Sequence, residues 1–325
     1  MVCIHIYVLS IARSLLVPNL DGVLFFPVTP FDAAGEVDTS ALAKHVRAGL
    51  AAGPGGVFAA CGTGEFHALE PQEYAEVLRV TVEVTAGQVP VYAGTGGPLP
   101  LARQFARAAR DAGADGLLLL PPYLVKSPAA GLVAYVDSVA AATELPLVVY
   151  HRDNARFDCA SAVDVARLPH VAGFKDGVGD LGDLSRILSA VRDELRGGDK
   201  PFQFFNGLPT AEATVAAYRG LGVELYSSAV FCFAPEISLA FYHAVRDADH
   251  ELVDALLTRF FHPLVSLREK VPGYAISLVK AGVRQRGLDV GGVRPPLVDP
   301  APEHLDELRR ITEAGLAVCD EAGAR

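Results

Sequence analysis

Eight short apolar runs, each followed by a longer stretch with helical spacing, set the limits on what this chain can fold into. The runs lie over 23–28, 56–60, 89–93, 116–120, 147–151, 171–175, 202–206 and 222–227. Each is rich in Val, Leu, Phe or Tyr and shows little polar alternation. Strands buried on both faces, as in parallel sheets, have this pattern. Between the runs, Asp38-Thr39-Ser40 opens a helix carrying Leu42, Val46 and Leu50 at helical spacing. Glu70-Pro71 opens another, with proline where the first turn needs no N–H donor. Further helices are expected over 101–112, 129–143, 180–195 and 210–219. Gly53, Gly87, Gly113 and Gly220 are expected just past helix ends, in left-handed caps.

Eight strands alternating with seven or eight helices over about 210 residues is the size of one α/β domain, a (β/α)₈ TIM barrel. From residue 234 onward only helical patterns remain, over 237–246, 251–267, 274–286 and 302–319. No Ser/Gly-rich linker sets them apart. The expected organisation is an extension over 1–20, a barrel over 21–233 and a C-terminal helical extension over 234–325, packed on the barrel. A doubly wound open sheet is the alternative fold.

The bulk numbers agree with a large packed core: 325 residues, 51% hydrophobic and 20% charged. A net charge of −10 argues against nucleic acid or an anionic membrane surface as partner. The five cysteines, Cys3, Cys61, Cys159, Cys232 and Cys319, are scattered and form no C-x-x-C pair. Neither a disulfide framework nor a structural zinc is expected, and a cytoplasmic location fits. The opening MVCIHIYVLSIARSLLV is apolar but carries His5 and Arg13. It lacks a basic start and a clear cleavage site, so a misassigned start or a buried extra segment is preferred over a targeting segment.

In such barrels chemistry gathers where strands end. Lys175 closes the apolar run V-A-G-F-K. Desolvation disfavours its ammonium form, and a neutral amine attacks a ketone to give an imine, an electron sink once protonated. The competing reading is a lysine that snorkels to the rim or pairs with Asp176. Tyr150 ends the preceding strand and offers a phenol for proton relay, or else is a core tyrosine with its hydroxyl at the rim. The glycine-rich C-G-T-G-E, with Gly62, Thr63 and Gly64, offers N–H groups and a hydroxyl for a carboxylate, or is an ordinary strand-to-helix turn. Glu65 is a candidate cap for the helix that follows.

Other motifs are weak. A-G-T-G-G at 93–97 has its third glycine misplaced for a dinucleotide loop and no matching acidic strand end after it, and the nine histidines form no H-x-H or H-E-x-x-H pattern. Neither G-x-x-x-x-G-K-[ST] nor G-x-S-x-G occurs. No metal and no dissociable cofactor is expected.

Together, F-P-V-T-P-F-D at 26–32, G-T-G-E at 62–65, L-L-P-P-Y at 119–123, V-V-Y at 148–150, G-F-K-D at 173–176, V-K-A-G at 279–282 and V-R-P-P-L at 293–297 resemble one family. It is that of dihydrodipicolinate synthase and N-acetylneuraminate lyase, and the resemblance covers about 22–298. Two departures stand out. Gly62 replaces the first of two hydroxyl residues that the synthase and the lyase carry before G-E. The Y-N-x-P-x-R segment becomes Tyr150-His151-Arg152-Asp153-Asn154-Ala155-Arg156. The runs F-F-P-V-T-P-F-D, T-G-E-F and L-P-P-Y-L-V look like the family's dehydratase branch.

The resemblance implies a lyase with Lys175 as the Schiff-base lysine and Tyr150 as the proton-transferring tyrosine. Gly62, Thr63 and Gly64 match the site for the keto acid's carboxylate. Tyr123 falls near a tyrosine that crosses a subunit interface in relatives. Ser227 and Ser228 fall where strand 8 lines the pocket. Arg152 or Arg156 is left to hold a far carboxylate. The implied reaction is dehydration and decarboxylation of a 2-keto diacid, 5-dehydro-4-deoxy-D-glucarate, to 2,5-dioxopentanoate. The implied assembly is a homotetramer or another homo-oligomer. The rivals are an aldolase or synthase of the same family, a noncatalytic binding or regulatory barrel, and a nicotinamide oxidoreductase on an open sheet.

Overall fold

The computed structural model describes residues 19–323, so the opening segment and Cys3 lie outside the described residues. The strands are β1 Leu24–Phe25, β2 Gly56–Ala59, β3 Val91–Thr95, β4 Gly116–Leu119, β5 Leu147–His151, β6 Val171–Asp176, β7 Gln203–Asn206 and β8 Leu225–Ser228. They pair in parallel and in chain order, and β8 closes on β1 with Leu24 opposite Ser227. The sheet is a closed (β/α)₈ barrel, which removes the open doubly wound alternative. Every residue of β2 to β6 is buried, as expected of strands covered by helices outside and by packed side chains within. β1 is shorter than its apolar run, because Pro27 and Pro30 cannot donate to a ladder.

The helices start on capping side chains. Asp38 accepts from the Ala41 N–H and opens Thr39–Ala51, and Glu70 with Glu73 forms a capping box at Pro71–Thr85. Asp180 caps Leu181–Glu194 in the same way. One nine-residue helix went unread in the sequence: Cys159–Arg167, opened by a capping box between Asp158 and Ser161. One expected cap moves. Gly220 is the last residue of the short helix Val215–Gly220, and the left-handed position falls on Gly222 at φ +73°. A 3₁₀ turn over Ala211–Thr214 precedes that helix and displaces its end.

The late helices are Pro235–Asp247, His250–Leu256, His262–Arg268, Tyr274–Gln285 and Pro302–Gly323. A π turn over Leu257–Phe261 joins the second to the third. It sits just before Pro263, whose missing N–H and bulky ring disfavour a regular α ladder there. These helices share one core with the barrel, in which Val23 and Phe25 pack with Phe241, Phe260, Phe261 and Leu308. Phe261 meets Phe241 edge-on at 4.8 Å and Phe260 at 4.9 Å. Each fully buried ring contributes about 2–3 kcal/mol by area.

A buried ion pair ties the late helices to the barrel mouth. Lys280 Nζ stands 2.8 Å from Glu65 Oε1, and both side chains are wholly buried. The Arg294 N–H donates to Glu65 Oε2 at 2.9 Å, and Lys280 also donates to the Gly292 carbonyl. Glu65 therefore does not cap the helix that follows it. Its carboxylate is turned inward, toward a partner 215 residues away.

Candidate active site

The β5–β6 register sets Tyr150 beside Lys175, so two neighbouring strands deliver a phenol and an amine to one mouth. Lys175 is 4% exposed. Its Nζ lies 4.3 Å from the centroid of the Phe26 ring and 4.7 Å from that of Tyr150. Gly207, after β7, leaves room for the lysine stem; a Cβ there would stand 2.6 Å from Lys175 Cε. Burial pushes the Lys175 amine down to about 7; Cys61 opposes the shift, and the Arg152 cation adds to it. The adjacent carboxylate is engaged elsewhere. Asp176 accepts from the Val178 and Gly179 N–H groups at 3.2 and 3.1 Å and from the Tyr218 hydroxyl. Lys175 thus neither reaches the rim nor pairs with Asp176.

Tyr150 is buried, and its hydroxyl donates to the Gly207 carbonyl at 2.5 Å. The same oxygen accepts from Arg152 Nη1 at 3.1 Å. Burial raises the phenol's pKa, and the guanidinium pulls it back. Arg152 also reaches Asp153 at 3.1 Å through Nε.

A cavity of about 310 Å³ joins Phe26, Gly62, Thr63, Tyr150, Arg152 and Lys175. That is the lower end of the range for small-molecule sites. Thr63 makes no hydrogen bond to another described residue, so its hydroxyl and N–H remain open to a ligand. Tyr123 and Ser227 also reach the cavity.

Three residues singled out in the sequence do not. Gly64 packs against Pro27 and Ala60, and its carbonyl accepts from Thr29. Ser228 is fully buried, and its hydroxyl donates to Glu212. Arg156 is exposed and bonds the Asp153 carbonyl. Of the two candidate arginines, only Arg152 faces the cavity.

Among the lining residues that escaped the sequence reading are a carboxylate and a guanidinium. Glu212 comes from the 3₁₀ turn after β7, and Arg268 from the end of the helix His262–Arg268. Arg268 Nη1 donates to Thr210 Oγ1 at 2.6 Å. Neither lies in a recognisable motif; the run N-G-L-P-T-A-E after β7 is the only local signal. Among the described residues, no group of three His, Cys, Asp or Glu side chains is placed to hold a metal ion.

A desolvated lysine at the end of a strand, in the closed mouth of a parallel barrel, defines the class of barrel that can hold a carbonyl compound as an imine. The chain belongs to the dihydrodipicolinate synthetase family, whose pattern matches residues 19–315. It is 54% identical over 315 residues to probable 5-dehydro-4-deoxyglucarate dehydratase 1 of Streptomyces coelicolor, covering 97% of this chain and 98% of that one. It is 42% identical over 289 residues to 5-dehydro-4-deoxyglucarate dehydratase of Pseudomonas putida, covering 89% and 93%. Among solved structures, dihydrodipicolinate synthase of Oceanobacillus iheyensis superposes with a TM-score of 0.84 at 23% identity, covering 94% of this chain and 99% of that one. The fold is thus shared well beyond the reach of sequence identity.

Proposed function

We propose that this chain is a 5-dehydro-4-deoxyglucarate dehydratase, a decarboxylating hydro-lyase that works through an imine on Lys175. The observation that carries the reading is the dry amine of Lys175 beside the Tyr150 phenol and the Arg152 guanidinium, in one small cavity. Identity of 54% and 42% over nearly the full length to relatives bearing that name supports the choice of substrate.

The amine adds to the ketone beside one carboxylate, water leaves, and an iminium forms. Thr63 and the N–H groups of the turn at 62–63 receive that carboxylate. The iminium acidifies the adjacent CH₂, and Tyr150 takes the proton and passes it along its hydrogen bonds. The enamine then expels the neighbouring hydroxyl as water. The conjugated iminium draws electrons from the far end, where the second carboxylate, held by Arg152, departs as CO₂. Protonation at carbon and hydrolysis release 2,5-dioxopentanoate and the free lysine. The lysine imine is the electron sink throughout.

Turnover of 5-dehydro-4-deoxy-D-glucarate, followed by CO₂ release and product analysis, tests the reading. CO₂ with 2,5-dioxopentanoate supports it. Pyruvate with an aldehyde assigns the chain to an aldolase instead.

A homo-oligomer, with a tetramer as the expected form, belongs to the same reading. The support is an exposed apolar rim beside the cavity, where Leu124 is 103% and Val125 58% exposed. A cytoplasmic location is likewise proposed, on free thiols at Cys61, Cys159, Cys232 and Cys319. Among the described residues no helix is long and apolar enough to cross a membrane.

A further inference from the structure

Glu212 is a carboxyl group that the steps above leave unused. It is 1% exposed, yet it lines the same cavity as Lys175, Tyr150 and Thr63. Its two oxygens differ. Oε1 accepts from the Ser228 hydroxyl at 2.5 Å, and Ser228 in turn accepts from Ser238 at 2.8 Å. That chain of donors fixes the carboxyl from behind and satisfies one oxygen. Oε2 is buried and has no hydrogen-bond partner among the described residues. A buried polar atom without a partner costs about 1–3 kcal/mol, so its retention calls for a reason. A proton on Oε2 would make the group a neutral acid with one free donor, while Oε1 keeps its bond to Ser228. Burial favours that form and pushes the carboxyl up to about 7, against the Ser228 hydrogen bond, the Glu212 backbone N–H and the Arg268 cation. The buried Tyr226 phenol feels the charge of Glu212, and its hydroxyl also lacks a partner among the described residues.

The proposed reaction has one step without an acid. The enamine must expel a hydroxyl, and hydroxide is a poor leaving group unless it is protonated as it departs. The overall conversion of a dianionic diacid to a monoanion, CO₂ and water takes up one proton. The proton that Tyr150 removes from carbon is returned to carbon after CO₂ leaves, so the proton for the departing water has another source.

We propose that Glu212 is the catalytic acid that protonates the leaving hydroxyl, donating from Oε2 and regaining its proton from solvent. In this step the C–O bond breaks, its electron pair goes to oxygen, and the O–H bond of the acid becomes an O–H bond of water. No oxidant or further co-reactant is needed. The inference rests on the dehydratase reading, and the test separates the two.

The experiment compares the parent chain with Glu212→Gln and Glu212→Asp, with Tyr226→Phe as a control for the neighbouring orphan hydroxyl. Three quantities are measured: trapping of pyruvate by borohydride, hydrogen exchange at the CH₂ of 5-dehydro-4-deoxy-D-glucarate in D₂O, and CO₂ release. Failure of the parent chain to trap pyruvate or to release CO₂ removes the dehydratase reading itself. With the parent active, Glu212→Gln is expected to trap pyruvate and exchange the CH₂ hydrogens within about threefold of the parent. CO₂ release should fall about 100-fold or more, within the usual range for loss of a general acid. Glu212→Asp should regain part of it, and Tyr226→Phe should keep CO₂ release near the parent. CO₂ release within about fivefold of the parent in Glu212→Gln overturns the proposal. So does a parallel loss of trapping, exchange and CO₂ release, which marks a structural role.

Discussion

A lysine pressed between two aromatic rings is an unfavourable place for a charge, and the reactivity proposed here comes from that cost. With its pKa lowered from 10.5 to about 7, the Lys175 amine is half neutral near physiological pH. Imine formation with pyruvate should therefore speed up as pH rises from about 6 to 8 and then level off, which stopped-flow trapping can follow. The stability consequence has a definite sign. Because the folded pKa lies below the unfolded value, the unfolded chain binds the extra proton between about 7 and 10.5. Stability gained from this group rises with pH across that window, and the cost is fully present below it. Lys175→Met should abolish turnover and raise stability at pH 7 by on the order of 3 kcal/mol in urea unfolding. Tyr150→Phe should lower turnover by about 10²–10⁴-fold while pyruvate can still be trapped on Lys175. Both residues were legible in the sequence because they close apolar runs, Lys175 as the last residue of its run and Tyr150 as the last but one. Glu212 was not, because its burial depends on Ser228 and Ser238, which only the closed barrel brings behind it.

At the scale of elements, the strands carried the strongest signal, since continuous burial leaves a run of Val, Leu and Phe with few interruptions. The run over 147–151 matches β5 residue for residue. The helix Cys159–Arg167 was missed because it is nine residues long and dominated by Ala, Val and Ser, which give little periodic contrast. Contacts across elements left no trace in local pattern. The Glu65–Lys280 pair joins the turn after β2 to the helix Tyr274–Gln285. Removing one partner strands a buried charge, so Lys280→Ala should destabilise the chain by about 3–5 kcal/mol in urea unfolding. Replacing both, with Lys280→Met and Glu65→Gln together, should recover most of that loss, because no unpaired ion then remains.

For the whole molecule, eight strands of the right length and spacing were enough to expect a closed barrel, and the late helices share its core without a linker. What the sequence could not supply was which residues meet at the mouth: Arg152 and Thr63 reach the cavity, whereas Arg156, Gly64 and Ser228 do not. Assembly leaves its mark on the surface. Leu124 stands fully exposed at φ +65° in a loop pinned by Asn154, whose amide donates to the Pro122 and Val125 carbonyls. If this rim meets a second copy, Leu124→Asp should shift the chain toward smaller species in sedimentation velocity, whereas an unchanged profile would place the interface elsewhere. The central claim, that one dry amine captures the substrate's ketone, is tested most directly by borohydride reduction in the presence of pyruvate, followed by peptide mapping. The account predicts a reduced adduct on the peptide carrying Lys175, and none on that peptide in Lys175→Met. No adduct, or an adduct on a different lysine, would contradict it.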